Sequence, residues 1–324
     1  MNSIGPFFQL MRPANLLIIV FTMYAMRWGV LATLIAKTGR SVEFNLSEIH
    51  FALTVIVMVL LAAAGNMIND YFDLKVDRLN KPDRVLVGRK VKRRIVMVAH
   101  HGFNILATAL AGFVAWRENQ PWLVFVPVTM AALLWFYSLW FKRKLWIGNF
   151  IVALLVAVVP LWAGVFEIPA LQQMMIQKGT DGQSFGFEAW RWMFGYAGFA
   201  FWLTLIREVQ KDLEDQKGDA QAGFKTLPIM WGRKGAHQYI HVLYALFYVA
   251  CLVSVFEITQ KLSSDVFQMI FVAITVLGIG LPAGISWTVT ARARARADYG
   301  LASRWSKIAM AGGILIGAVM PFWF

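Results

Sequence analysis

Two stretches of the chain carry acidic and amide side chains at the same intervals: NMINDYFDLKVD at 66–77 and EVQKDLEDQKGD at 208–219. The first sets Asn66, Asp70, Asp73 and Asp77 four, three and four residues apart; the second repeats those steps with Glu208, Asp212, Asp215 and Asp219. On an α-helix such a series returns to one face within an arc of about 60°, so each stretch presents a column of oxygen ligands. Asn69 falls towards the edge of the first column, and Glu214 points well away from the second. A lone acidic cluster beside lysines is ordinarily a solvated helix end. Two clusters with one spacing, both emerging from apolar runs and both followed by a basic segment ending in a proline (Pro82 or Pro228), read instead as half-sites facing each other in one bundle.

The ligand type selects the chemistry. Carboxylates at such a depth are costly unless a cation or a polar cavity accepts them. Hard oxygen donors, with no competing Cys/His set, favour magnesium or calcium over zinc, and magnesium commonly enters such sites with phosphate. A diphosphate would be repelled by the six aspartates unless magnesium ions bridged carboxylate to phosphate and basic side chains covered the remaining oxygens. Arg84, Lys142, Arg143 and Lys225 are available for that covering role. With no nucleophile triad and no zinc-water motif, the arrangement fits a lyase or transferase better than a hydrolase. A cavity beneath the diphosphate could receive a long apolar tail from the bilayer.

The elements that must position these columns are membrane helices. Hydrophobic residues make up 59% of the 324-residue chain and charged residues only 15%, outside the range of soluble domains. Apolar stretches of spanning length lie near 14–36, 49–68, 95–116, 121–140, 147–166, 190–206, 237–257, 266–290 and 305–323, nine in all. WRENQPW joins the third and fourth as a tight hairpin turn, and LQQMM after the fifth has the pattern of a short amphipathic helix on the interface. The amino terminus lacks the order of a cleaved signal, so the first span is expected to stay attached. Cys251, the single cysteine, sits in an apolar run and excludes a disulfide framework.

Alternate junctions differ sharply in Lys and Arg. One side receives Arg12, the nine cations of KVDRLNKPDRVLVGRKVKRR, Lys142 to Lys144, those from Arg207 to Lys234, and those from Arg292 to Lys307. The other side holds isolated cations such as Lys37, Arg40, Arg117, Lys178 and Lys261. The basic side is therefore expected to be cytoplasmic, with the amino terminus inside and the carboxyl terminus outside, periplasmic or extracellular, in a cell inner membrane. This sidedness accounts for the net charge of +13 without a nucleic-acid partner. Arg292, Arg294 and Arg296 are expected at anionic headgroups, with assistance to a phosphorylated substrate as the alternative.

These residues resemble the two aspartate-rich signatures of the UbiA superfamily of intramembrane prenyltransferases. The match includes RPAN at 12–15, NMINDYFDLKVDRLNKPDR at 66–84, YSLWFKR at 137–143 and REVQKDLEDQKGDAQAGFKTLP at 207–228, and it runs from Arg12 through the ninth span. The resemblance implies an all-α, nine-helix bundle forming a single domain over 1–324, in which a magnesium-bound isoprenyl diphosphate ionises and its allylic carbon alkylates an acceptor. It implies Asn66, Asp70, Asp73 and Asp77 as the first metal-binding motif and Asp212, Asp215 and Asp219 as the second, with Glu208 as the upper polar ligand. Arg84 and Lys142 would stabilise the charge developing on the diphosphate. Tyr137 would face the allyl group or bind the diphosphate, or sit as an interfacial tyrosine, and Arg12 and Asn15 would complete the acceptor pocket or cap and anchor the first span.

The stretches LNKPDRVLVGRKVKRR and REVQKDLEDQKGDAQAGFKTLPI are similar to the branch of geranylgeranylglycerol-phosphate geranylgeranyltransferases. That branch implies a geranylgeranyl donor and a lipid-soluble, prenylated glycerol phosphate as acceptor, with no obligate protein partner. One departure is Val85, where the family often has proline after the arginine. Aromatic acids of quinone biosynthesis remain alternative acceptors. An ion transporter is the rival class, since paired intramembrane carboxylates also mark ion pathways. Against it, the spans turn almost wholly apolar away from the basic side.

Overall fold

The computed structural model describes residues 4–262 and 264–322, without the side chain of Arg84. Helix α1 (Ile4–Met11) meets α2 (Pro13–Tyr24) at Arg12, whose left-handed backbone (φ 57°) turns the chain and lets Pro13 open the next helix. A π-helical stretch, Ala25–Leu31, carries α2 into α3 (Ala32–Lys37). Ser47 caps α4 (Glu48–Phe72), its hydroxyl oxygen accepting from the His50 N–H at 3.2 Å, and α4 hands over at Asp73 to α5 (Leu74–Asn80). There follow α6 (Arg93–Arg117), α7 (Phe125–Leu139), α8 (Ile147–Gly164), α9 (Glu167–Gln177) and α10 (Gly182–Gln221). The short α11 (Leu227–Met230) precedes α12 (Gly232–Thr259). A second π-helical stretch, Val276–Gly280, separates α13 (Asp265–Thr275) from α14 (Leu281–Arg292), and α15 (Arg296–Val319) ends the bundle.

Among the described residues, eight helical segments are long and apolar enough to cross a membrane: Pro13–Lys37, Glu48–Phe72, Arg93–Arg117, Pro121–Leu139, Ile147–Gln177, Gly232–Thr259, Asp265–Arg292 and Arg296–Phe322. The remaining expected stretch, 190–206, lies inside the 40-residue α10, where Arg191, Gly195, Gly198 and Arg207 dilute its apolar character. LQQMM lies in the helix α9, which buries Ile168, Leu171 and Met175 and packs along α10. His100 is a packed residue, hydrogen-bonded through Nδ1 to the Ala64 carbonyl at 3.0 Å and set against Trp135.

α10 is the shared wall of two apolar clusters. Met193 joins a cluster with Met26, Phe51, Trp162 and Phe166, whereas Leu203, Ile206 and Val209 join another with Tyr244, Phe247, Phe271 and Ile316. Lipid tails are as apolar as leucine, so close approach and polar contacts hold such helices together. Both π-helical stretches press a glycine against α15. A Cβ on Gly29 would come 1.9 Å from the Gly317 carbonyl oxygen, and one on Gly312 would come 2.0 Å from that of Gly278. A buried polar clamp fixes the rotation of α10: the Gln210 amide donates to Tyr244 at 3.2 Å, Ser286 at 3.0 Å and Thr290 at 2.9 Å. Gln210 is two residues beyond Glu208 and so points to the opposite side of the helix, which leaves Glu208 within electrostatic reach of Arg12 and Tyr137.

Candidate active site

Both columns lie at the basic end of the bundle. The first runs down the end of α4, pivots at Asp73 and continues on α5; the second occupies the last turns of the unbroken α10. They are stitched together by Asn80, whose amide donates to the Asp215 carbonyl at 3.2 Å and whose side-chain oxygen accepts from the Gly218 N–H at 3.2 Å. Only glycine leaves room there, since a Cβ at Gly218 would lie 2.4 Å from that oxygen. The columns share cations: Lys142 lies within electrostatic reach of Asp73 and Asp77 on one side and of Glu208 and Asp219 on the other, and Lys81 within reach of Asp77 and of Asp215 and Asp219.

Most of the acids are held by cations or amides. Arg12 donates to Asp70 at 2.5 Å, while Asp73 accepts from Lys142 and, at 2.8 Å, from the Asn69 amide. Asp212 accepts from Asn149 at 2.8 Å. Asp215 accepts from Lys81 at 2.8 Å and Arg296 at 2.9 Å, and Glu208 from Arg207 at 2.8 Å and Lys211 at 3.0 Å. Asn66 donates to the Met11 carbonyl at 3.0 Å, tying the first column to the Arg12 turn.

The carboxylates of Asp77 and Asp219, one from each column, have no hydrogen-bonded partner among the described residues. Burial, aided by the charge of Asp73 and opposed by Lys142, pushes the Asp77 carboxyl up to about 6. Burial, with Asp215 and Asp73 adding to it and Lys142 opposing, pushes Asp219 up to about 7. Among the described residues no three His, Cys, Asp or Glu side chains are gathered into a ready-made metal cage. The donor set nonetheless fits a hard divalent cation: it is all oxygen, spread over two columns, and the carboxylates of Asp77 and Asp219 make no direct ion pair.

Other expected residues are distributed around this centre. Tyr137 is buried on α7 within electrostatic reach of Lys142, Glu208, Asp73 and Asp212. Asn15 accepts from Lys307 at 2.6 Å. Arg143 and Lys225 are exposed on the rim, joined by a 2.9 Å bond from the Lys225 N–H to the Arg143 carbonyl. The side chain of Arg84 lies outside the described residues. Glu214 sets its carboxylate against Gly300 and 3.6 Å from Lys81, a cation it shares with Asp215 of the second column. Asn149, Lys81, Arg207, Lys211 and Lys307 join the site without having been singled out from sequence, and Arg296, expected at headgroups, reaches Asp215 at 2.9 Å instead. Lys81 carried a signal, standing four residues after Asp77 and therefore on its helix face.

A cavity of about 450 Å³ lies further along α10, away from the carboxylates, between α10, α12, α13 and α15. Phe199, Trp202, Phe247, Cys251, Phe271 and Ile316 give it apolar walls.

The model of the UbiA prenyltransferase family matches residues 26–308. The digeranylgeranylglyceryl phosphate synthase of Thermococcus kodakarensis is 31% identical over 241 residues, covering 74% of this chain and 73% of that one. A solved structure of digeranylgeranylglyceryl phosphate synthase superposes with a TM-score of 0.59 at 22% identity, over 99% of both chains. A UbiA homolog from Archaeoglobus fulgidus, bound to DMAPP and Mg2+, superposes with a TM-score of 0.53 at 16% identity, over 97% of this chain and 99% of that one. These two structures have the same fold as this chain.

Proposed function

Because this chain belongs to the UbiA prenyltransferase family, we propose that it transfers a geranylgeranyl group from its diphosphate to a glycerol phosphate already bearing one prenyl ether, in a magnesium-dependent reaction that releases diphosphate. One observation carries the reading: two facing carboxylate columns, threaded with cations, stand at one end of an apolar bundle whose sequence is 31% identical to a digeranylgeranylglyceryl phosphate synthase. The single domain spans 1–324, and 190–206 of α10 supplies the ninth span. The basic end faces the cytoplasm, with the amino terminus inside.

In this reading Asn66, Asp70, Asp73 and Asp77 face Asp212, Asp215 and Asp219 as the magnesium ligands, with Glu208 above them. Bound magnesium supplies electrostatic stabilisation of the departing diphosphate. Lys142 sits between the columns and holds positive charge where the diphosphate oxygens gather it; Arg143 and Lys225 do so from the rim, where Arg84 is expected as well. The bond from the allylic carbon to the diphosphate oxygen breaks and the acceptor hydroxyl oxygen bonds to that carbon. The hydroxyl proton leaves with the released diphosphate, which balances the charge. The ring of Tyr137, buried away from water, lines the path of the electron-poor allyl carbon.

An acceptor panel tests this reading. With geranylgeranyl diphosphate as donor and product mass as readout, the glycerol-phosphate ether is expected to be converted at least tenfold faster than hydroxybenzoate or dihydroxynaphthoate. The reverse order would replace the acceptor and keep the prenyltransferase.

A pH dependence of metal binding follows from Asp77 and Asp219. Both folded-state pKa values are raised, so proton uptake stabilises the metal-free fold below the ordinary aspartate range. That contribution is lost as pH rises through about 6 and about 7. Magnesium must displace those protons, so the magnesium-induced rise in unfolding temperature is expected to be small at pH 5.5 and large at pH 8. Asp77→Asn should flatten the profile. An equal rise at both pH values in the unsubstituted protein would count against metal at these acids.

A further inference from the structure

Beside the diphosphate end, four cations converge from three parts of the chain: Arg12 at the turn between α1 and α2, Arg207 and Lys211 on α10, and Lys307 on α15. Arg12, Arg207 and Lys211 all lie within electrostatic reach of Lys307. The carboxylates that answer them are Glu208, which accepts from Arg207 at 2.8 Å and Lys211 at 3.0 Å, and Asp70, which accepts from Arg12 at 2.5 Å. Lys307 has only a neutral partner among the described residues, the Asn15 side-chain oxygen at 2.6 Å. The Arg207 Nε is buried without a hydrogen-bond acceptor. In direct contact the four cations meet only two carboxylates, with Asp73 and Asp212 within electrostatic reach of Arg12 and Lys211, so the Lys307 ammonium and the Arg207 Nε are the donors left without an acidic acceptor at the edge of an apolar bundle, where such groups are costly. The cluster is nonetheless reachable, since the side chains of Arg12 and Lys211 are 40% and 33% exposed.

Those unmet donors suit a phosphate monoester, whose three acceptor oxygens carry about −1.5 to −2 near neutral pH. We infer that Arg12, Arg207, Lys211 and Lys307 seat the phosphate of the acceptor, apart from the donor's diphosphate between Asp73, Asp77, Asp219 and Lys142. This inference rests on the phosphorylated-acceptor reading given above. Geometry also favours division of labour: Arg12 reaches Asp70 and Asp73 of the first column as well as Glu208 of the second, so a phosphate held there hangs its glycerol beside the metal column. The free hydroxyl then lies next to the donor's allylic carbon while both tails descend into the bundle. Asn15 holds Lys307 pointed at the seat and is a positioning residue.

The test uses the full-length protein in phosphatidylcholine nanodiscs with magnesium, geranylgeranyl diphosphate, and two acceptors: geranylgeranylglycerol phosphate and the same ether without its phosphate. In the unsubstituted protein, removing the acceptor phosphate is expected to raise the acceptor KM at least tenfold. Lys307→Gln is expected to raise the KM for the phosphorylated acceptor about tenfold, to leave the KM for geranylgeranyl diphosphate within twofold, and to leave the KM for the dephosphorylated ether unchanged. Lys307→Arg should restore most of the loss. Lys211→Gln, on a different helix, repeats the measurement if Lys307→Gln does not fold. The inference is overturned if donor and acceptor KM rise together, if both acceptors lose equally, or if the unsubstituted protein does not discriminate between them. Failure of the acceptor reading shows differently, as an unsubstituted enzyme that yields no product from either ether but prenylates an aromatic acid, and it removes this seat as well.

Discussion

Asp73→Asn is expected to lower the rate of prenyl transfer about a thousandfold at saturating magnesium, with the protein still folded and inserted. The change keeps the shape of the side chain and removes its charge. Asp73 sits at the pivot where α4 gives way to α5, with its side chain 8% exposed, and it is the acid that Lys142 and the Asn69 amide both engage. Without that charge the first column loses its most enclosed carboxylate, and Lys142 loses the partner that directs it between the columns. Asp212→Asn should behave alike, because Asp212, the counterpart of Asp70 in the second column, is likewise a column acid held in place by a neighbouring side chain, the Asn149 amide. Glu214→Gln is the contrast: an acid on the same helix but outside the column, expected to stay within threefold of the unsubstituted rate. Product formation by mass, with diphosphate release counted in parallel, checks all three. Losses below tenfold for both Asp73→Asn and Asp212→Asn would remove the carboxylate columns from the mechanism.

Arg27→Leu is expected to destabilise the protein by about 3–5 kcal/mol, the cost of stranding a buried charge. Arg27 lies in the first π-helical stretch and is wholly buried, its guanidinium carbon 4.3 Å from the ring centres of both Phe44 and Phe51. It donates to the Leu46 carbonyl at 2.6 Å and to Glu48 at 3.1 Å, and lies 2.9 Å from the fully buried Glu167. Glu167 in turn accepts from the Asn45 N–H at 2.8 Å and the Leu46 N–H at 3.3 Å, so one ion pair fastens the 38–47 connection onto α9. The double variant Arg27→Leu/Glu167→Gln removes both charges yet keeps an acceptor for those two N–H groups. It should regain more than half of the lost stability. Unfolding in mixed micelles measures both variants, and a single substitution as mild as the double one would show that Glu167 is not stranded.

The carboxylate columns were legible because helical periodicity is local: a step of four, three and four needs only a helix to become a face. Eight of the nine expected membrane helices were legible from run length alone, and 190–206 fell short because α10 is not apolar enough there. What pairs with the acids was not, since Arg296 with Asp215, Lys307 with Asn15 and Asn149 with Asp212 are contacts between residues 81, 292 and 63 positions apart. Arg296 illustrates the difficulty. As one cation among many in ARARARAD it read as a headgroup contact, and only the packing of α15 against α10 turns it to the acids. Arg27 was overlooked for a related reason: a single arginine in an apolar stretch gives no sign of the glutamate 140 residues away that makes its burial tolerable. The π-helical turns depend on glycine contacts with α15 that no local pattern encodes.

The length of α10 has one more consequence. At a rise of about 1.5 Å per residue, its 40 residues extend roughly 60 Å, about twice the thickness of a bilayer's hydrocarbon core. The cavity wall occupies the middle of this rod and the acids its far end, so a reactant can keep its tail among lipids while its head reaches the acids. Such a reactant never has to dissolve in water. Encounter becomes a search in two dimensions, and what sets the rate is the mole fraction of acceptor in the lipid rather than its molarity in the suspension; adding inert lipid at fixed acceptor slows the enzyme as surely as removing substrate.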